Sequence, residues 1–151
     1  MNRLLKVLPP IWYFIFLVTG LLVHFFVPDA RVFTFSYPIV GIVLLIAGQA
    51  LSMYASSLFS REKTEILPTS TTNTKLVTYG PFAYSRNPMY LGMVLGLLGI
   101  AVWVGTLPMF VAAVLDFCIL NFVFIPFEEV KMSRIFGASY DSYRHKVRRW
   151  I

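Results

Sequence analysis

An all-α bundle of about four transmembrane helices is the fold this sequence predicts, and three observations predict it. The composition is too apolar for water, four stretches are long enough to cross a bilayer, and nearly all basic residues fall on one side of them. Of 151 residues, 58% are hydrophobic and 13% charged, where a soluble domain carries roughly a quarter charged residues. A water-soluble fold of this length would leave much of that apolar surface exposed and prone to association.

The first apolar stretch, Pro10–Val27, makes roughly 27 Å of helix. Arg3 and Lys6 before it imitate the start of a secretory signal, but Phe26-Val27-Pro28-Asp29-Ala30 lacks a small-residue cleavage site, so a retained anchor is expected. The second stretch, Tyr37–Phe59, is long enough to span. Met89–Phe127 is one continuous apolar block, about 58 Å as a single helix and twice the thickness of the hydrocarbon core. It must turn back, and Gly105-Thr106-Leu107-Pro108 supplies the turn, giving a hairpin of helices Met89–Val104 and Pro108–Phe127. One domain over 1–151 is expected, with a polar connection at 60–88 and a tail at 128–151.

Arg31 is the single basic residue between the first two stretches, and the hairpin turn has none. Every other Lys and Arg lies before the first stretch, in the 60–88 connection or in the tail. The positive-inside rule makes that face cytoplasmic and puts both termini there, a count that four spans satisfy and three or five do not. A net charge of +6 distributed this way points to lipid headgroups and not to nucleic acid. In the tail, Met132, Ile135, Phe136, Tyr140, Tyr143, Val147 and Trp150 recur at helical spacing, with Gly137 as a break. That pattern suits one or two interfacial amphipathic helices.

The polar groups able to do chemistry gather on the basic face. Pro88 suits the first position of the third helix, which makes Asn87 its N-cap and the helix start an anion site reinforced by Arg86. Glu128-Glu129 closes the fourth helix, where carboxylates oppose the macrodipole. A cationic ligand, or Arg86 and the tail arginines, would favour them there. Asn121 lies seven residues before Glu128, on nearly the same helical face. Asp116 lies deep in the fourth helix, at a cost of roughly 2.5–3.5 kcal/mol on insertion scales; Gln49 and His24 are its expected partners. Gly92, Gly96 and Gly99 mark a close helix contact. One cysteine, Cys118, and two histidines, His24 and His145, exclude an internal disulfide and offer no metal-ligand spacing.

Leu76-Val77-Thr78-Tyr79-Gly80-Pro81-Phe82, Arg86-Asn87-Pro88-Met89-Tyr90-Leu91-Gly92, Glu128-Glu129, Phe136-Gly137-x-x-Tyr140-x-x-Tyr143 and Val147-Arg148-Arg149-Trp150 occur in that order. Over residues 64–151 the chain thereby resembles the isoprenylcysteine carboxyl methyltransferase and phospholipid methyltransferase superfamily of membrane enzymes. Asn87 stands where many relatives have His, and Met93 after Gly92 departs from the Gly-Glu of sterol reductases of related architecture. The resemblance implies S-adenosylmethionine as methyl donor, held by Tyr79, Gly80, Pro81, Phe82, Arg86, Asn87, Pro88, Tyr90, Asn121, Glu128 and Glu129. It implies catalytic roles for Arg86, Glu128 and Arg134, and no metal. The implied acceptor is lipophilic, with carboxyl O-methylation of an isoprenylcysteine-like substrate first and phospholipid N-methylation second. A non-catalytic module that binds lipid or a partner is the competing class, and a monomer and a homodimer are equally compatible with the pattern.

Overall fold

Proline stands at the first or second position of each of the four long apolar helices, as Pro9, Pro38, Pro88 and Pro108. Its missing N–H costs nothing there, and its fixed φ already suits the helix. The structure is a computed structural model and describes residues 7–63 and 75–151. Arg3, Lys6 and the Pro68–Thr74 stretch, on which some of the orientation and loop readings rest, lie outside the described residues.

The elements in order are α1 (Pro9–Phe26), α2 (Pro38–Arg61), α3 (Pro88–Val104), α4 (Leu107–Ile119), a π-helical turn (Leu120–Phe124), α5 (Ile125–Phe136) and α6 (Ala138–Lys146). Short 3₁₀ turns at Pro28–Arg31 and Gly80–Ala83 precede α2 and α3. The only β pairing among the described residues is an isolated bridge between Thr34 and Thr106. Three helical runs, Pro9–Phe26, Pro38–Arg61 and Leu107–Phe136, are long and apolar enough to cross a membrane, and α3 is a shorter apolar helix. Their outward faces are hydrophobic, as at Phe14 and Phe25 on α1 and Ile39, Ile46 and Met53 on α2. In lipid such faces are solvated, and the helix satisfies its own backbone polar groups.

The fourth helix does not close at Glu128-Glu129 as expected. It runs through the π turn and α5 to Phe136 without a break, a run of 30 residues, about 45 Å long. Hydropathy falls after Phe127, but the helix does not end there. Both glutamates therefore lie inside a continuous helix, and the macrodipole objection to them lapses. Gly137, with φ +50°, makes the break before α6.

Glycine decides which helices touch. The expected contact of the α3 glycines is with α2, which has glycines of its own facing them. A Cβ on Gly48 would lie 2.5 Å from the Gly92 carbonyl oxygen, and one on Gly41 would lie 2.6 Å from that of Gly99. Backbone therefore meets backbone along this seam. Gly92→Val would drive its side chain into the Gly48 carbonyl and the Ser52 backbone, and overpacking of this kind costs about 1–3 kcal/mol. Thermal unfolding in detergent should show a clear fall in midpoint, whereas an unchanged midpoint would mean the seam is not close-packed. At the opposite end Gly105 turns the hairpin with φ +71°. Its carbonyl accepts the Phe35 N–H at 2.9 Å, and the Val102 carbonyl accepts that of Tyr37 at 3.1 Å, docking the α1–α2 connection onto the turn.

Asp116 does not pair as expected. It is fully buried, and neither carboxylate oxygen has a hydrogen-bond partner among the described residues. His24 Nδ1 is instead hydrogen-bonded to the Thr106 hydroxyl at 3.1 Å, and the Gln49 amide donates to the Tyr13 hydroxyl at 3.4 Å. Each expected partner meets a nearer group first.

Candidate active site

The last residues of the chain fold back on the start of α3. The Arg86 N–H donates to the Arg148 carbonyl at 3.0 Å, and the Asn87 side-chain amide donates to the Arg149 carbonyl at 2.9 Å. Asn87 does occupy the N-cap position, but its side chain caps nothing; its own N–H donates to the Ser85 hydroxyl at 3.1 Å. Residues 147–150 thus form a strap laid along 85–87.

Two guanidiniums close the strap around one carboxylate. Arg86 Nη2 donates to Glu129 Oε1 at 2.5 Å, and Arg149 Nη2 donates to Glu129 Oε2 at 2.7 Å. Arg86 Nη1 also donates to the carbonyls of Arg144 and Val147, at 2.9 and 3.1 Å. Its Nε is buried with no acceptor among the described residues. Of the two partners left open by the sequence for the paired glutamates, the arginines hold Glu129.

The π turn changes what Asn121 faces. One additional residue in the turn moves the helical repeat on by one, so Asn121 aligns with Glu129 and not with Glu128. Arg149 accordingly bridges both, reaching Asn121 Oδ1 at 3.5 Å while it pairs with Glu129. The Trp150 indole N–H donates to the same Asn121 oxygen at 3.0 Å, and the indole packs on Phe117 at 5.1 Å.

Glu128, one position along, turns into a cleft and accepts a hydrogen bond from the Tyr90 hydroxyl. The cleft holds about 820 Å³, its open mouth included, between the end of α2, the start of α3, α5 and α6. Phe59, Val77, Phe82 and Met89 form an apolar side, while Lys75, Arg86, Glu128 and Lys131 bring charge. Tyr140 and Tyr143 wall it from α6. Burial pushes both phenols up from their ordinary range, and the Tyr143 hydroxyl donates to the Phe82 carbonyl at 2.7 Å.

Of the residues singled out in the sequence, Phe82, Arg86, Asn87, Pro88, Tyr90, Glu128 and Glu129 line this cleft. Tyr79, Gly80, Pro81, Asn121 and Arg134 do not. Gly80, with φ +62°, and Pro81 shape the 3₁₀ turn behind it, and Arg134 faces away on α5. Tyr140, Tyr143 and Lys75 join the site without having been named as site residues, and Arg149 is the tail arginine that reaches Glu129. The Tyr-x-x-Tyr spacing on α6 is the available signal for the first two.

Tyr79 belongs to a latch at the mouth of the 60–88 connection. Its hydroxyl donates to Glu62 Oε1 at 2.8 Å, and Lys75 Nζ donates to Glu62 Oε2 at 2.6 Å. Lys75 first, and Tyr79 after it, hold the Glu62 carboxyl below its usual range. Glu62's contribution to folding is therefore in place above the unfolded carboxylate pKa and fades as pH falls through the lowered folded value. Lys75→Met should bring the Glu62 midpoint back up, as read by carboxyl carbon NMR; an unmoved midpoint would mean that the latch is open in solution.

A comparison with protein-family models matches residues 37–139 to the phospholipid methyltransferase model. The chain belongs to the phospholipid methyltransferase family. Neither the curated proteins nor the solved structures yield a match. The phospholipid methyltransferase match begins at α2, ahead of the blocks that carry the sequence resemblance, and takes in Arg86, Tyr90, Glu128 and Glu129. It ends before Tyr140, Tyr143 and the strap. Apolar helices and phospholipid methyltransferase membership together make the chain an integral membrane protein of a methyl-transferring family.

Proposed function

We propose that the chain is a membrane S-adenosylmethionine-dependent methyltransferase that methylates the amine of a phospholipid headgroup at the cleft around Glu128. One observation carries this reading. Glu128 is the cleft carboxylate that no arginine occupies, and it is oriented by the Tyr90 hydroxyl. A carboxylate so placed suits a cationic acceptor that must lose a proton. Carboxyl O-methylation would need a cation to orient an anionic acceptor, and the two Nη groups of Arg86 are already committed to Glu129 and two carbonyls, which leaves only its Nε–H, here assigned to the donor. The family match supports the phospholipid alternative.

The residues present fit the methyl donor. The buried Arg86 Nε–H lacks an acceptor, and the first turn of α3 has no side-chain cap, so both can receive the donor's carboxylate. Phe82, Tyr140 and Tyr143 offer aromatic faces to a sulfonium or purine. When bound, S-adenosylmethionine supplies an electrophilic methyl on sulfur. Glu128 takes the proton of the acceptor ammonium, Tyr90 holds that carboxylate in position, and the apolar wall of Phe59, Val77 and Met89 excludes water. Lys131, at the cleft, attracts the headgroup phosphate. The basic face lies on the cytoplasmic side, where the donor is soluble, and the lipid arrives from the bilayer.

The test is calorimetry with S-adenosylmethionine and S-adenosylhomocysteine in nanodiscs, followed by methyl transfer to phosphatidylethanolamine and, separately, to a prenylcysteine. Saturable donor binding with label on the amine is expected. Label on the prenylcysteine alone would reverse the acceptor, and no donor binding by folded protein would remove the enzyme reading.

A further inference from the structure

A second cleft opens on the outer face of α5, holding about 710 Å³ with its open mouth, and Glu129 is the one residue it shares with the first. Pro126, Glu129, Val130, Ser133 and Arg134 follow one another at alternating intervals of three residues and one, and form one side of the helix. Arg144, in the last turn of α6, closes the other side. Arg134 and Arg144 are both exposed, and neither guanidinium makes an ion pair or hydrogen bond among the described residues. Glu129 does not neutralise them, because both of its oxygens are held by Arg86 and Arg149. The cleft therefore presents two uncompensated guanidiniums beside a serine hydroxyl, and its floor at Pro126 and Val130 is apolar.

Depth in the bilayer adds the second half of the argument. The run that begins at Leu107 crosses roughly 30 Å of hydrocarbon in about 20 residues. Residues after Phe127 then lie among the headgroups, with Val130 at the boundary and Arg134 at the level of the phosphates. Guanidinium forks match phosphate oxygens in charge and geometry, and the apolar floor suits the glycerol and upper acyl carbons of the same molecule. We propose that this cleft binds the phosphodiester of an anionic phospholipid, gripped by Arg134 and Arg144. It is a lipid site separate from the methyl-transfer cleft and independent of that reading. The catalytic role expected for Arg134 from sequence gives way here to lipid binding.

The experiment uses the full chain in a non-ionic detergent, titrated with dihexanoyl phosphatidylglycerol, dihexanoyl phosphatidylcholine and inorganic phosphate in separate arms. The readouts are affinity and the arginine side-chain N–H NMR signals. Phosphatidylglycerol should bind at least tenfold more tightly than phosphatidylcholine and move the Arg134 and Arg144 signals. The double variant Arg134→Gln/Arg144→Gln should lose that preference, while Lys146→Gln/Arg148→Gln, with the same change in charge, should keep it. Equal losses in both variants would replace a site by general electrostatic attraction and overturn the proposal. So would an unchanged double variant, or shifts in other arginines alone. Inorganic phosphate binding as tightly as phosphatidylglycerol would overturn the lipid source in favour of free phosphate. Should the double variant fail to fold, the NMR shifts of the wild type still decide.

Discussion

Glu129→Ala is expected to destabilise the protein by about 3–5 kcal/mol, the usual result of removing one partner from a buried ion pair. The side chain of Arg86 is only 10% exposed and that of Glu129 only 9%, so water cannot replace the lost charge. Two guanidiniums would then face each other across the vacated space, and the strap would lose its anchor. The Arg86 amide, which donates to the Arg148 carbonyl, reports on this directly. Its hydrogen exchange should accelerate in the variant together with a fall in the unfolding midpoint. A variant that melts with the wild type and keeps the Arg86 amide protected would show that the strap is held by something else. Glu129→Gln, which keeps the shape and removes the charge, should fall between the two.

Glu128→Gln should leave the fold intact and lower methyl transfer by roughly 10²–10⁴-fold, the range for loss of a positioned general base. The amide fills the same space and can still accept the Tyr90 hydroxyl, so donor affinity should change far less than turnover. Tyr90→Phe removes only the orienting hydrogen bond and should cost less than loss of the carboxylate itself. Single-turnover kinetics with donor and amine lipid would measure both. Turnover above a tenth of the wild-type rate in Glu128→Gln would end the case for Glu128 as base. If donor binding falls in parallel with turnover, Glu128 is a donor-binding residue instead.

The transmembrane helices are legible in the sequence because hydropathy records directly which residues lipid solvates, and the hairpin at Gly105 because only a turn fits there. Arg86 and Glu129 are both visible as site residues. Their pairing is one of two open readings, since sequence gives charge but not distance. The π turn is invisible: a single residue of added register leaves no compositional trace, yet it moves Asn121 from Glu128 to Glu129. The length of α5 is hidden because the fall in hydropathy after Phe127 reads as an end, although the helix continues to Phe136. Gly41 and Gly48 carry no signal of their own, because their spacing of seven matches no short packing motif and only the facing α3 glycines give it meaning. Tyr140, Tyr143 and the strap reach the site through the reversal at Gly137; the sequence shows the break and the tyrosine spacing but not where the chain returns to.

The glycine seam has a mechanical consequence. With carbonyls set against α-carbons, α2 and α3 have no side-chain layer between them that could slide or compress, so the two move as a single plank. α4 lies against α1, and Gly20 admits the Met109 and Ala112 side chains there, so that pairing has the compliance the first lacks. Relative movement is therefore easier between α1 and α4 than between α2 and α3.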